Sequence, residues 1–181
     1  MGLANVRIGA GGQSWEEIRQ LSIQGAEKSE KLLSLEQVSE KGILKENDSL
    51  DNLTPELIEL LSRFNQAISD SATKDITIYV HGANNNFYRT ASQTAQYRHF
   101  TGRHAIVVLY SWPSAESILR YGTDIRNINE TVPTFVRFIK LLAMHTSARK
   151  INILAYSAGA TLTTKALAVL GNNTEQPDRA A

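Results

Sequence analysis

The stretch Ile151-Asn152-Ile153-Leu154-Ala155-Tyr156-Ser157-Ala158-Gly159-Ala160 decides the fold. Its first five positions read as a short buried strand. From Ala158 to Leu170 the pattern is helical, with Leu162, Ala166 and Val169 on one side and Gly171 as the expected C-cap. The chain must therefore bend sharply at Tyr156–Ala158, and the small Ala155 and Gly159 suit a turn at which strand and helix nearly touch. Upstream, Ile76–Val80 and Ala105–Tyr110 are two more short apolar runs. The intervening segments Phe87–Phe100 and Asp124–Met144 read as amphipathic, and in the second Ile125, Ile128, Val132, Phe135, Val136, Ile139 and Leu142 form a helical stripe. Pro133 is expected to start or kink that helix. Strand and helix alternating three times forces parallel pairing through crossovers, so the fold class is α/β with a mostly parallel sheet and flanking helices.

Working outward, residues 71–171 form the α/β core, residues 1–70 a polar, helix-rich segment, and residues 172–181 a polar tail expected to fray. In the first segment Asn5–Ile8 fits a short edge strand. Ser14 and Glu17 form a capping box for a helix whose apolar face would be Trp15, Ile18, Leu21 and Ile23. Leu32, Leu33, Leu35 and Val38 fit either strand or helix. Thr54 and Pro55 open a helix with Leu57, Ile58, Leu61, Phe64 and Ile68 at helical spacing.

Composition excludes several function classes. The 181 residues suffice for one core, and 42% hydrophobic with 20% charged residues is ordinary globular usage. A net charge of +1, with basic residues scattered, provides no general attraction to nucleic acid or to an anionic membrane. The absence of cysteine removes disulfides and thiolate metal sites. No leader or spanning segment is evident, so a cytoplasmic location is the default expectation. No histidine pair has metal-ligand spacing, and neither a metal nor a cofactor is expected.

Two constellations carry the chemistry. Tyr156-Ser157-Ala158-Gly159 resembles a nucleophile elbow, the turn that lifts a serine hydroxyl above the sheet edge, with Ala155 standing where glycine is usual. Val80-His81-Gly82-Ala83-Asn84-Asn85 follows another strand, where such folds place an oxyanion loop. The expected donors are the backbone amides of Ala158 and Ala83, and His81 is expected to be structural, holding the loop. Asn84–Asn86 can cap the next helix. Ser111-Trp112-Pro113-Ser114 follows the middle strand, and Trp112 and Tyr110 are expected in the core or lining a pocket. Together the His-Gly-x-Asn, Ser-Trp-Pro-Ser and x-Ser-x-Gly motifs make residues 75–171 resemble a group of bacterial α/β-hydrolases known only as a domain of unknown function. The resemblance implies that fold and an ester-type or related acyl hydrolysis, with Ser157 as nucleophile and a small ester-like molecule as substrate.

One departure qualifies this. In such folds the triad runs serine, acid, histidine along the chain, yet His81, His99, His104 and His145 all precede Ser157, and only Glu175 and Asp178 follow it as acids. The chain is therefore expected to be incomplete at its C-terminus and impaired as a hydrolase. The alternative is a non-catalytic interaction module that keeps the fold.

Overall fold

The computed structural model describes residues 1–8, 12–23, 33–115 and 121–174. The elements run β1 (Gly2–Ile8), α1 (Trp15–Ile23), β2 (Leu33–Glu40), α2 (Pro55–Asp70), β3 (Asp75–Val80), α3 (Phe87–Phe100), β4 (Ile106–Tyr110), α4 (Tyr121–His145), β5 (Lys150–Ala155) and α5 (Ala158–Thr174). The three strands expected in the core form a parallel sheet in the order β4-β3-β5. In register, Val80 of β3 stands level with Tyr110 of β4 and Ala155 of β5, so the residues leaving all three strands emerge at one edge.

Leaving β3, the chain moves to one side to make β4, then crosses back over β3 to make β5. Crossovers of one hand that travel in opposite directions must lie on opposite faces of the sheet. Side chains alternate accordingly along β3. Tyr79 faces α3, where its hydroxyl donates to Gln93 at 3.4 Å. Ile76, Ile78 and Val80 are fully buried on the other face against α4 and α5, with Phe135, Leu142, Leu162 and Ala166. Burial of each such aliphatic side chain contributes about 1.5–3 kcal/mol. α3 and α5 leave the neighbouring strands β3 and β5 toward opposite faces, so the loops that follow these two strands meet at the point where the helices diverge.

Several expectations are corrected. Only β3 is buried on both faces. β4 is half-buried throughout and β5 alternates, with Asn152 and Leu154 exposed, because both are edge strands among the described residues. The first 70 residues hold an antiparallel pair, β1 with β2, alongside the two helices; the ambiguous Leu33–Val38 run becomes strand because it meets a partner. The capping box forms, with the Ser14 amide donating to Glu17 at 2.7 Å, but Trp15 is 78% and Ile23 63% exposed, so the apolar face assigned to α1 is not buried at those positions.

In α2, Thr54 caps and Pro55 leads as expected. Leu60 replaces Ile58 in the buried stripe, and Ile68 joins the sheet's own core, so α2 packs on the α/β unit although it precedes residue 71. Pro133 lies inside α4 on its exposed side, where water can reach the carbonyl that lacks a donor. α5 continues past Gly171 to Thr174, so that glycine is no C-cap, and Val169 is 40% exposed. Glu175 and Asp178 lie outside the described residues.

Candidate active site

The site sits at the C-terminal ends of β3 and β5. Tyr156 N–H donates to Val80 O at 2.9 Å, a last rung of the ladder that ties the residue before Ser157 to the end of β3. Ser157 then adopts φ +53, a left-handed conformation that costs a non-glycine residue about 1–2 kcal/mol. Gly159 N–H closes the turn on Tyr156 O at 3.0 Å, Ala160 N–H bonds Ser157 O at 2.8 Å, and α5 starts at Ala158. Ser157 is exposed, and its hydroxyl has no hydrogen-bond partner among the described residues.

Two glycines let the loops meet. A Cβ on Gly159 would lie 2.4 Å from His81 O and 2.7 Å from Val80 O. A Cβ on Gly82 would lie 3.0 Å from Ser157 Cβ and from Tyr156 O. The elbow and the β3–α3 loop are thus in backbone contact. The N–H groups of Ala83 in that loop and of Ala158 at the N-terminus of α5 have no hydrogen-bond partner among the described residues.

The β3–α3 loop is held from the other side. His81 is 1% exposed and stacks on Trp112, with ring centroids 5.2 Å apart and planes 6° from parallel. Its Nδ1 donates to Gly82 O at 2.8 Å, and its Nε2 accepts from Trp112 N–H at 3.1 Å. A carbonyl can only accept and an amide only donate, so the partners dictate the neutral Nδ1–H tautomer. Burial pushes the pKa of His81 below its usual value, against smaller opposing contributions from the two backbone bonds and from Asp124. With both ring nitrogens engaged, His81 holds the loop and has none left for a substrate.

Trp112 Nε1 donates to His81 O at 2.7 Å. Asn85 Nδ2 reaches Ala83 O at 3.1 Å and Gly82 O at 3.3 Å. Asn84 has φ +55, and Asn86 caps α3 by accepting from Arg89 N–H. The other histidines lie elsewhere. His99, His104 and His145 belong to helix ends or a strand start at the opposite edge of the sheet, and His145 Nε2 bonds Leu50 O at 2.7 Å. Arg126 is exposed and 4.0 Å from Glu130. A cleft of about 390 Å³, lined by Tyr110, Ser111, Trp112, Glu130 and Thr134 among others, lies between β4 and α4, and Ser157 does not line it.

Residues 58–180, about two thirds of the chain, match the model of a family described as alpha/beta hydrolase of unknown function (DUF900). The chain belongs to this family of α/β-hydrolases. No curated protein and no solved structure matches the chain. The α/β-hydrolase fold explains why the serine loop and the His-Gly loop meet: they follow neighbouring parallel strands whose helices leave to opposite faces. Among the described residues of this α/β-hydrolase no helix is long and apolar enough to cross a membrane, and no group of three His, Asp or Glu is placed to hold a metal ion.

Sequence reasoning named Asn85 and Ser114 only as members of motifs and missed Asp124 and Asn127, and all four hold these loops. Asp124 stands in the first turn of α4, where an acidic residue is ordinary, so nothing in the sequence marks it.

The left-handed turn makes one stability prediction. Ser157→Gly is expected to raise stability by about 0.5–1 kcal/mol, because glycine adopts φ +53 without strain. The midpoint of chemical denaturation checks this, and a lower midpoint would mean that the serine side chain contributes to folding.

Proposed function

We propose that this α/β-hydrolase acts on a small ester or related acyl compound, with Ser157 as nucleophile and the amides of Ala83 and Ala158 as oxyanion donors. The observation that carries the reading is the strained, exposed Ser157 at the start of α5, in close contact with Gly82 of the His-Gly loop. Strain of this kind persists where surrounding structure enforces it, and it clusters at reactive sites.

In the reaction, Ser157 Oγ attacks the acyl carbon while its proton passes to a base, and the carbonyl oxygen takes negative charge between the two amides. The intermediate then expels the alcohol, and water releases the acid in a second step. Among the described residues no histidine with a free ring nitrogen stands at this edge, so the chain by itself is expected to react slowly, by several orders of magnitude against a complete triad. The same observation favours a second reading, a binding module that keeps the fold without turnover.

Chemical rescue separates the two. The folded chain is incubated with a fluorophosphonate probe, with and without imidazole as an external base, and the adduct is located by peptide mapping. Ser157 Oγ attacks phosphorus, imidazole takes the proton and fluoride leaves. The expected result is an adduct confined to Ser157, absent in Ser157→Ala, forming about 10- to 100-fold faster with imidazole. Folded protein without an adduct at Ser157 under saturating probe and imidazole would overturn the hydrolase reading in favour of the module.

A further inference from the structure

The loop bearing Ala83 does not rest on β3 alone. Its outer side is bonded to the β4–α4 loop at four points: Trp112 N–H to His81 Nε2, Trp112 Nε1 to His81 O, Ser114 Oγ donating to Asn85 O at 2.7 Å, and Asn85 N–H donating to Ser114 Oγ at 3.3 Å. The β4–α4 loop in turn is anchored to α4. Ala115 N–H donates to Asp124 Oδ1 at 2.6 Å, and Asn127 Nδ2 donates to Pro113 O at 3.0 Å. Asp124 is fully buried, and its other oxygen, Oδ2, is buried with no hydrogen-bond partner among the described residues.

A buried carboxylate with one oxygen unpaired is costly, and a role confined to helix capping would be met as well by an exposed side chain. What burial adds is rigidity. The carboxylate bonds Ala115 from inside, and Trp112 and Ser114 of the same loop bond His81 and Asn85 on either side of Gly82 and Ala83.

We propose that Asp124 is a positioning residue for the oxyanion site, acting through the Trp112–Ala115 loop to hold the Ala83 amide against Ser157. The inference rests on the hydrolase reading above. A donor held within a few tenths of an ångström of the developing oxyanion stabilises the transition state, whereas a loose donor still solvates the bound ground state. Loss of Asp124 therefore acts on the chemical step and leaves binding of the probe unchanged.

The test is fluorophosphonate labelling of Ser157 in the full chain with imidazole, resolved into probe affinity and maximal labelling rate. All variants carry Trp15→Phe so that Trp112, the second of two tryptophans, is the sole indole reporter. Asp124→Ala is expected to lower the maximal rate about 10-fold or more with unchanged probe affinity, and to shift Trp112 emission to the red. Asp124→Asn, which keeps an oxygen for Ala115 N–H, is expected to restore the rate to within about threefold of the parent. Ser114→Ala, cut at the next link of the same chain, is expected to lower the rate as well, and adding Asp124→Ala to it to lower the rate little further, since both remove one coupling.

Leu60→Ala, at a buried position of α2, is expected to destabilise the fold and to leave the rate and the emission unchanged. If the parent labels but Asp124→Ala labels at the same rate, the positioning role is refuted and the hydrolase reading stands. If Asp124→Ala does not fold, Ser114→Ala decides, and an unchanged rate there refutes the relay. If the parent itself never labels, both readings fall together.

Discussion

Gly159→Ala is expected to destabilise the protein by about 3 kcal/mol, lowering Tm by roughly 6–12 °C, and to abolish fluorophosphonate labelling of Ser157. The added Cβ would lie 2.4 Å from His81 O and 2.7 Å from Val80 O, both main-chain atoms that no rotamer change can move. Relief requires α5 to retreat from the end of β3. That retreat stretches the Tyr156 N–H to Val80 O bond and carries Ser157 away from Gly82 and Ala83.

Gly171 lies on the same helix, and a Cβ there meets nothing within 4 Å, so Gly171→Ala serves as the control and is expected to leave both readouts intact. Thermal melts and labelling on the same samples check the pair. A Gly159→Ala protein that melts with the parent and still labels would mean that the elbow does not press on the His-Gly loop.

Replacement of His81 is expected to cost more. His81→Ala removes a fully buried ring stacked on Trp112 and leaves the buried Trp112 N–H without its acceptor, a combined loss of about 4 kcal/mol. Denaturant unfolding measures it, and a loss under about 1 kcal/mol would contradict the clamp. The same residue makes stability depend on pH. Burial holds the His81 pKa below its ordinary 6.5, so the folded state prefers the neutral ring.

The stabilisation is complete above the unfolded value. As pH falls below it the unfolded chain takes up a proton that the folded chain refuses, and stability declines, by at most about 1.4 kcal/mol per pH unit, until the folded pKa is passed. His81→Gln is expected to flatten this slope between neutral and mildly acidic pH. A slope equal to that of the parent would assign the effect to other groups.

These expectations also mark how far residues alone lead. Ser157 was legible because three signals coincide on it: a strand-type run before it, a helical stripe after it, and small residues on both sides. The His-Gly loop was legible for the same reason, since glycine after a strand marks close approach. Trp15 and Ile58 misled because periodicity reports that a face is apolar without saying whether another element arrives to cover it. Asp124 was illegible because its significance lies in burial, and burial is decided by where α4 packs.

What the sequence determined by itself is the local alphabet of this α/β-hydrolase: which runs extend, which coil, and where the chain must turn, since those follow from side-chain periodicity, capping and the steric freedom of neighbours. Only the tertiary structure decided that β3 lies between β4 and β5, that Gly82 and Gly159 face one another's loops, and that His81 has both ring nitrogens occupied. The reason is physical. Contacts between Val80 and Tyr156, or between His81 and Trp112, depend on strand order and on which face each crossover takes, and no local pattern in the chain encodes either.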